Sequence, residues 1–258
     1  MHYKKVIHKI VAFVIVTLLF SSCASKKSVL YFQDSDNIDL RRIQYQSPRI
    51  QANDIINIKV TALNPKSVEP YNIQNGVTPN ASFIETLKLQ GYLVSQEGNI
   101  VFPVLGSINV LDKTTSELEK YIKKLLIDGG HVNDPAVSVR LLNSKFTVLG
   151  EVNNPGTFTI TENNITLLQA LGYAGDLDIT ASRKDILVLR DNNGVQQTKR
   201  IDLTTTDWFR SEFYYIKQND VIVVNPNSTR IKSTGLFGNA STVMSAISLI
   251  LTGILITR

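Results

Sequence analysis

The chain has one cysteine, Cys23, placed where a secretory signal would end. Lys4, Lys5 and Lys9 come first, then the apolar run Ile10 to Phe20, then the small pair Ser21-Ser22. A basic stretch, a short apolar stretch and small residues at the cut describe a signal peptide. The run of about 11 residues is too short to cross a bilayer core, which needs roughly 20. A cysteine directly after the small pair predicts a bacterial lipoprotein, with the Cys23 thiol as the acylation point. Phe20 departs from the usual pattern, which has Leu three residues before the cysteine. The competing reading is an ordinary signal peptide with an incidental cysteine. Either way the body folds without disulfides, so its stability must come from packed apolar cores.

Loss of residues 1–22 removes Lys4, Lys5 and Lys9 and takes the formal charge from +5 to +2. Only basic pairs remain, such as Lys26-Lys27, Arg41-Arg42 and Lys123-Lys124. Nucleic-acid binding needs a basic stripe or patch, so none is expected. His2 and His8 leave with the signal, and His131 is the one histidine left. One histidine cannot build a multi-histidine metal site within a subunit, and no nucleophile elbow accompanies it. Glu97, Asp134 and Glu151 are the carboxylates from which a glycosidase-type pair could be drawn, yet they lack any spacing signal. The chain reads as non-enzymatic, with no cofactor or metal.

The fold class expected is α+β: two small β-rich modules followed by a C-terminal amphipathic helix. Residues 23–47 form a lipidated tether in which Val29-Leu30-Tyr31-Phe32 reads as a short strand or packing clip. The first module, 48–143, opens with alternation over Ile55 to Val60. A long Pro-containing loop follows from Asn64 to Asn80, then a hairpin of Tyr92 to Ser95 with Ile100 to Val104. Thr114-Thr115-Ser116-Glu117 has the capping-box form. Behind it Leu118, Tyr121, Ile122, Leu125 and Leu126 make one helical face, and Ala136 to Leu142 is a strand.

The second module, 144–228, has Phe146 to Val152 and Thr157 to Ile160 around Asn154-Pro155-Gly156, a sequence that suits a type II turn. A short helix over Thr166 to Tyr173 comes next. The strands Asp185 to Arg190 and Val195 to Ile201 then form a hairpin over Asn193-Gly194, and Val221 to Val224 closes the module. Trp208 to Tyr215 is the densest aromatic cluster in the chain. It has two readings, packing in a core or interface and a platform for sugar rings.

Residues 232–258 are unlike the rest. From Leu236 there is no charge before Arg258, and no proline. Ser241, Ser245, Ser248 and Thr252 recur at spacings that fall within a helical stripe roughly 60° wide. Val243, Ala246, Ile247, Ile250 and Ile254 lie opposite. A membrane strand would keep its polar residues on one parity, and here both parities carry them. As a helix, Ser241 to Arg258 would span about 27 Å, close to a hydrocarbon core of roughly 30 Å. The competing reading is a buried core helix with scattered serines.

In this order, the motifs resemble the outer-membrane polysaccharide export lipoproteins of the Wza type. Gly91-Tyr92-Leu93-Val94 through Gly98-Asn99-Ile100-Val101-Phe102-Pro103-Val104-Leu105-Gly106 is similar to the export motif, and Asp134-Pro135-Ala136-Val137-Ser138-Val139 continues it. Val148-Leu149-Gly150-Glu151-Val152 with Pro155-Gly156-Thr157-Phe158 is similar to the opening of the soluble-ligand-binding β-grasp module. Leu168-Gln169-Ala170-Leu171 and Gly175 extend the likeness. Longer members carry a second β-grasp module, for which this chain has no room.

The resemblance implies an outer-membrane conduit for capsular or exopolysaccharide, with its body in the periplasm. It implies a closed homo-oligomeric ring, expected as an octamer, and an inner-membrane polysaccharide co-polymerase, often tyrosine-kinase linked, as partner. Cys23 would carry the lipid. Ser241, Ser245, Ser248 and Thr252 would line the pore, and Ile247, Ile250 and Ile254 would face outer-membrane lipid. The reading of another class is a membrane-tethered carbohydrate-binding or scaffold lipoprotein without a pore.

Overall fold

Two separate apolar cores organise the chain in the computed structural model. It describes residues 26–37, 47–72, 90–162, 164–192, 194–233 and, farther on, positions 241, 244, 245, 248, 249 and 252. Strand β1 (Ile55–Thr61) buries Ile56, Ile58 and Val60 on one face. It pairs antiparallel with β2 (Tyr92–Leu93) on one side and β5 (Ala136–Leu141) on the other, with Ile58 opposite Val139. Between β2 and β5 come the hairpin β3 (Asn99–Phe102) and β4 (Gly106–Asn109), then helix α1 (Thr115–Asp128).

Helix α1 starts where the capping box predicts. The Glu117 N–H donates to Thr114 Oγ1 at 3.2 Å, and the Thr114 N–H donates to Glu117 Oε2 at 2.8 Å. Two of the backbone donors at the start of the helix are thereby satisfied. Leu118, Ile122 and Leu126, one turn apart, are fully buried in the first core. Each such side chain contributes about 1.5–3 kcal/mol relative to exposure. Tyr121 lies outward, with Lys113 Nζ 5.3 Å from its ring centre.

The second core lies under a five-stranded sheet in the order β10-β9-β12-β6-β7. Its strands are β6 (Lys145–Gly150), β7 (Gly156–Thr159), β9 (Ala181–Asn192), β10 (Val195–Ile201) and β12 (Val221–Pro226). The β12–β6 pairing is parallel and the other three are antiparallel. Helix α2 (Leu167–Tyr173) has its own capping box from Thr166 and Gln169. A small pair, β8 (Ile165–Thr166) with β11 (Tyr215–Ile216), completes the module. Gly150 is required where β6 ends: φ is +92°, and a Cβ there would come 2.1 Å from the Val224 carbonyl oxygen.

Several expectations need correction. β2 pairs with β1, and the hairpin partner of β3 is β4. The chain reverses around Val104, where the Leu105 N–H donates to the Pro103 carbonyl at 2.8 Å and φ is +66°. Left-handed backbone at a β-branched residue costs on the order of 1–3 kcal/mol, and the β3–β4 ladder holds it. Gly156 is not the positive-φ residue of a type II turn; it already belongs to β7. The Asn64–Asn80 loop contains a 3₁₀ helix, Pro65–Tyr71, capped by Asn64 and burying Val68 and Tyr71.

The C-terminal helix expected over 232–258 falls for the most part outside the described residues. A short helix α3 (Ser228–Ser233) begins ahead of that boundary, because Asn227 Oδ1 accepts the Arg230 N–H at 2.9 Å. Among the described residues no helix is long and apolar enough to cross a membrane.

Candidate functional site

The N-terminal clip docks on the second module, although the first module follows it in sequence. The Phe32 N–H donates to the Leu203 carbonyl at 3.1 Å, and the Gln33 N–H to the Thr204 carbonyl at 2.8 Å. Asp34 Oδ2 accepts the Thr206 N–H and hydroxyl at 3.1 and 3.0 Å. The Thr206 N–H holds the Asp34 carboxyl below its ordinary value. Tyr31 donates its hydroxyl to Asp176 Oδ1 at 2.7 Å, and burial together with that carboxylate pushes the phenol pKa up.

This docking gives the aromatic cluster a role. The Phe32 ring lies 5.4 Å from Phe209 in an edge-on arrangement and 6.5 Å from Trp208. Trp208 and Phe213 are buried in the second core, and the Trp208 indole N–H donates to the Thr205 carbonyl. Trp208, Phe209 and Tyr214 pack on one another and against the clip and the second core. Of the two readings, intramolecular packing describes this arrangement.

A buried ion pair fixes the aromatic loop from below. The Arg190 Nη2 to Asp220 Oδ2 distance is 2.7 Å, with both side chains essentially inaccessible. Arg190 also donates to the carbonyls of Glu212 and Tyr215 and stacks over Phe213 at 4.4 Å. Burial pushes the Asp220 carboxyl up, against the pull of Arg190. The sequence reading missed this pair, although parity could have exposed it. Arg190 falls on the same face of β9 as the buried Ile186 and Val188.

A polar contact that the sequence did not reveal joins the two modules. Gln218 Nε2 donates to the Asp54 carboxylate, at 3.1 Å to Oδ1 and 3.0 Å to Oδ2, and to Gln51 Oε1 at 3.0 Å. Burial raises the Asp54 carboxyl above its ordinary value.

The carboxylates considered for a hydrolytic pair are engaged separately. Asp134 pairs with Lys123 at 2.9 Å. Glu151 accepts from the Thr180 hydroxyl and lies 3.7 Å from Arg230. Glu97 is exposed, its carboxyl held low chiefly by the Ser95 hydroxyl. The His131 ring packs edge-on to Tyr71.

Of the residues expected to meet the membrane, Cys23, Ile247, Ile250 and Ile254 lie outside the described residues. Ser241, Ser245, Ser248 and Thr252 are helical and exposed, as are Met244 and Leu249. The Ser245 hydroxyl donates to the Ser241 carbonyl and the Thr252 hydroxyl to the Ser248 carbonyl, both at 2.8 Å. Such bonds to the preceding turn satisfy a hydroxyl without a partner from another element.

Residues 44–142 match the family described as polysaccharide biosynthesis/export protein, and residues 144–224 match the SLBB domain. The chain is 31% identical over 172 residues to the EPS I polysaccharide export outer membrane protein EpsA of Ralstonia solanacearum. It is 35% identical over 158 residues to the protein of the same description from Ralstonia nicotianae. These matches cover 64% and 58% of this chain but only 42% and 38% of the relatives' own lengths.

Proposed function

Because the chain belongs to the polysaccharide export protein family, we propose that it is an outer-membrane lipoprotein whose copies close into a ring-shaped conduit for capsular or exopolysaccharide. One observation supports this above the others: the export region and the SLBB domain follow each other directly in a single chain. The relatives' description adds the outer membrane and the exported polymer. In this reading the protein catalyses nothing; it supplies a passage.

The acyl chain on Cys23 anchors each subunit, and residues 48–143 and 144–228 form the periplasmic body. The segment beyond residue 232 crosses the membrane as a ring of helices. Its hydroxyl stripe, Ser241, Ser245, Ser248 and Thr252, faces the lumen, and Ile247, Ile250 and Ile254 face lipid. Helices about 10 Å apart and about 10 Å thick leave a lumen of roughly 10 Å in a ring of six and roughly 16 Å in a ring of eight. A hydrated polymer favours the octamer. Neutral hydroxyls solvate a sugar chain without holding it by charge. An inner-membrane co-polymerase would deliver the chain to the periplasmic end.

Native mass measurement on acylated protein extracted in detergent tests this reading. A closed oligomer of eight is expected, together with loss of surface polysaccharide when the gene is deleted. A monomer whose deletion leaves export intact would return the protein to a tethered scaffold.

A further inference from the structure

Both routes to the membrane leave the second module at one loop, Asp176–Thr180, just ahead of β9. On the N-terminal side, Lys26–Ser28 rests on β9 and Tyr31 is bonded to Asp176. Lys26 is three residues after Cys23, so roughly 10 Å of extended chain separates the acylation point from the module. On the C-terminal side, the Asn227 N–H donates to the Thr180 carbonyl at 2.7 Å and its side-chain amide to the Ile179 carbonyl at 3.2 Å. Helix α3 starts at the next residue.

The loop is braced from within. Asp178 Oδ1 accepts the Thr180 N–H at 2.8 Å, and the Asp178 N–H donates to the Glu151 carbonyl at 3.1 Å. Arg183, buried beneath the Tyr31 ring, donates to the carbonyls of Asp178 and Ala181 at 2.7 and 3.1 Å. On this fixed backbone Ile179 stands 67% exposed. Ile231 on α3 is 60% exposed and Leu30 on the clip 46% exposed. Single exposed apolar residues are ordinary. Three of them at the spot where an acylated segment and a membrane-directed segment diverge are not scattered. The same two segments carry the exposed Lys27 and Arg230, the residue type that seats against anionic headgroups. The acids nearby, Asp176, Asp178 and Glu151, are each engaged by Tyr31, Thr180 or Arg230.

We propose that the loop Asp176–Thr180, with its exposed Ile179 and with Leu30 and Ile231 on the segments bonded to it, is a membrane-contact surface that seats the second module on the phospholipid leaflet holding the Cys23 acyl chain. The inference rests on the lipoprotein reading above. Ile179 enters the boundary between headgroups and acyl chains, and the flanking cations stay at headgroup level. The first module, with its exposed Val101, is then held away from the leaflet.

The test uses full-length acylated protein in vesicles of phosphatidylethanolamine and phosphatidylglycerol. Acylation consumes the lone cysteine, so Ile179→Cys supplies a single free thiol for an environment-sensitive fluorophore. Val101→Cys, at a position 78% exposed on β3, is the control. Spin-labelled lipid should quench the Ile179 label several-fold more than the Val101 label, and aqueous iodide should show the reverse order. Leu30→Cys is a second reporter, expected to behave like Ile179→Cys even where the label disturbs the loop. Equal iodide quenching at all three positions, in protein that floats with the vesicles, overturns the inference and leaves the anchor reading standing. So does shielding of Ile179 from iodide without lipid quenching, because a protein would then cover it. Failure of the unlabelled protein to float removes the anchor reading and the inference together.

Discussion

Gln218, at the turn into β12, holds both carboxylate oxygens of Asp54, at the threshold of β1, through a single side-chain nitrogen. This polar tie between the modules is buried on both sides. Gln218→Ala leaves Asp54 with the Gln51 N–H but without its partner from the second module. Stranding a buried polar group costs about 1–3 kcal/mol. Denaturant unfolding should therefore show a loss of that size, and a change below the measurement error would refute the tie.

The Asp54 carboxyl also gives the tie a pH signature. Burial raises its folded-state value above the ordinary 3.8. The folded protein then binds more protons than the unfolded chain between those two values, so this residue's contribution falls as pH rises through that window. Asp54→Asn lacks the titration. Its stability relative to the parent should improve as pH rises above 3.8, in paired unfolding curves across the acid range. A difference that stays flat, or moves the other way, contradicts a carboxyl raised by burial.

Arg190 and Asp220 should behave as one unit. Removing one member of a buried pair leaves the other charge unmatched, at about 3–5 kcal/mol. Arg190→Leu is expected to lose stability on that scale, and the Arg190→Leu/Asp220→Asn double variant to recover part of it. The deficit of the single variant should shrink in acid, where protonation of the raised Asp220 carboxyl removes the unmatched charge. A deficit independent of pH would mean that the lost bonds to the Glu212 and Tyr215 carbonyls dominate.

The clip can be read out by the one tryptophan of the chain, Trp208, which lies beneath it. Phe32→Ala removes a half-buried ring, a loss of about 1–2 kcal/mol. It should shift Trp208 emission toward the exposed range and open residues 26–37 to proteolysis. Asp34 adds a pH arm of opposite sign to that of Asp54. Its depressed carboxyl favours docking above the ordinary carboxylate value, and this is lost as pH falls through the folded one. Unchanged emission in Phe32→Ala would show that the clip does not cover Trp208 in solution.

The sequence was most legible where local chemistry and periodicity agree. Thr114 with Glu117 marked the start of α1, and Gly194 the turn into β10, because caps and tight turns are set by neighbours in sequence. The β2–β3 hairpin was misread because Val94 and Ile100 alternate as paired strands would. Which strands pair is decided by long-range burial against β1 and α1. The clip was visible as Val29-Leu30-Tyr31-Phe32, but its seat on Leu203 and Thr204 lies some 170 residues away and left no local trace. Gln218 and Asp54 were silent for the same reason: each is an ordinary turn residue until the two modules meet.

Ser245 and Ser248 fall on the hydroxyl stripe and Ile250 on the opposite side of a helix at about 100° per residue. In a ring of such helices the stripe faces water and Ile250 faces acyl chains, since a hydroxyl gains nothing from lipid and an isoleucine loses nothing there. The Ser245 hydroxyl donates to the Ser241 carbonyl within the same helical turn, so a thiol in its place can turn outward without stranding a partner from another element. With Cys23 acylated, Ser245→Cys and Ser248→Cys should react with membrane-impermeant thiol reagents and lose polymer export once modified. Ile250→Cys should stay unmodified and export normally. Equal labelling at all three positions, or labelling of Ile250→Cys alone, would rule out a lumen lined by Ser241, Ser245, Ser248 and Thr252.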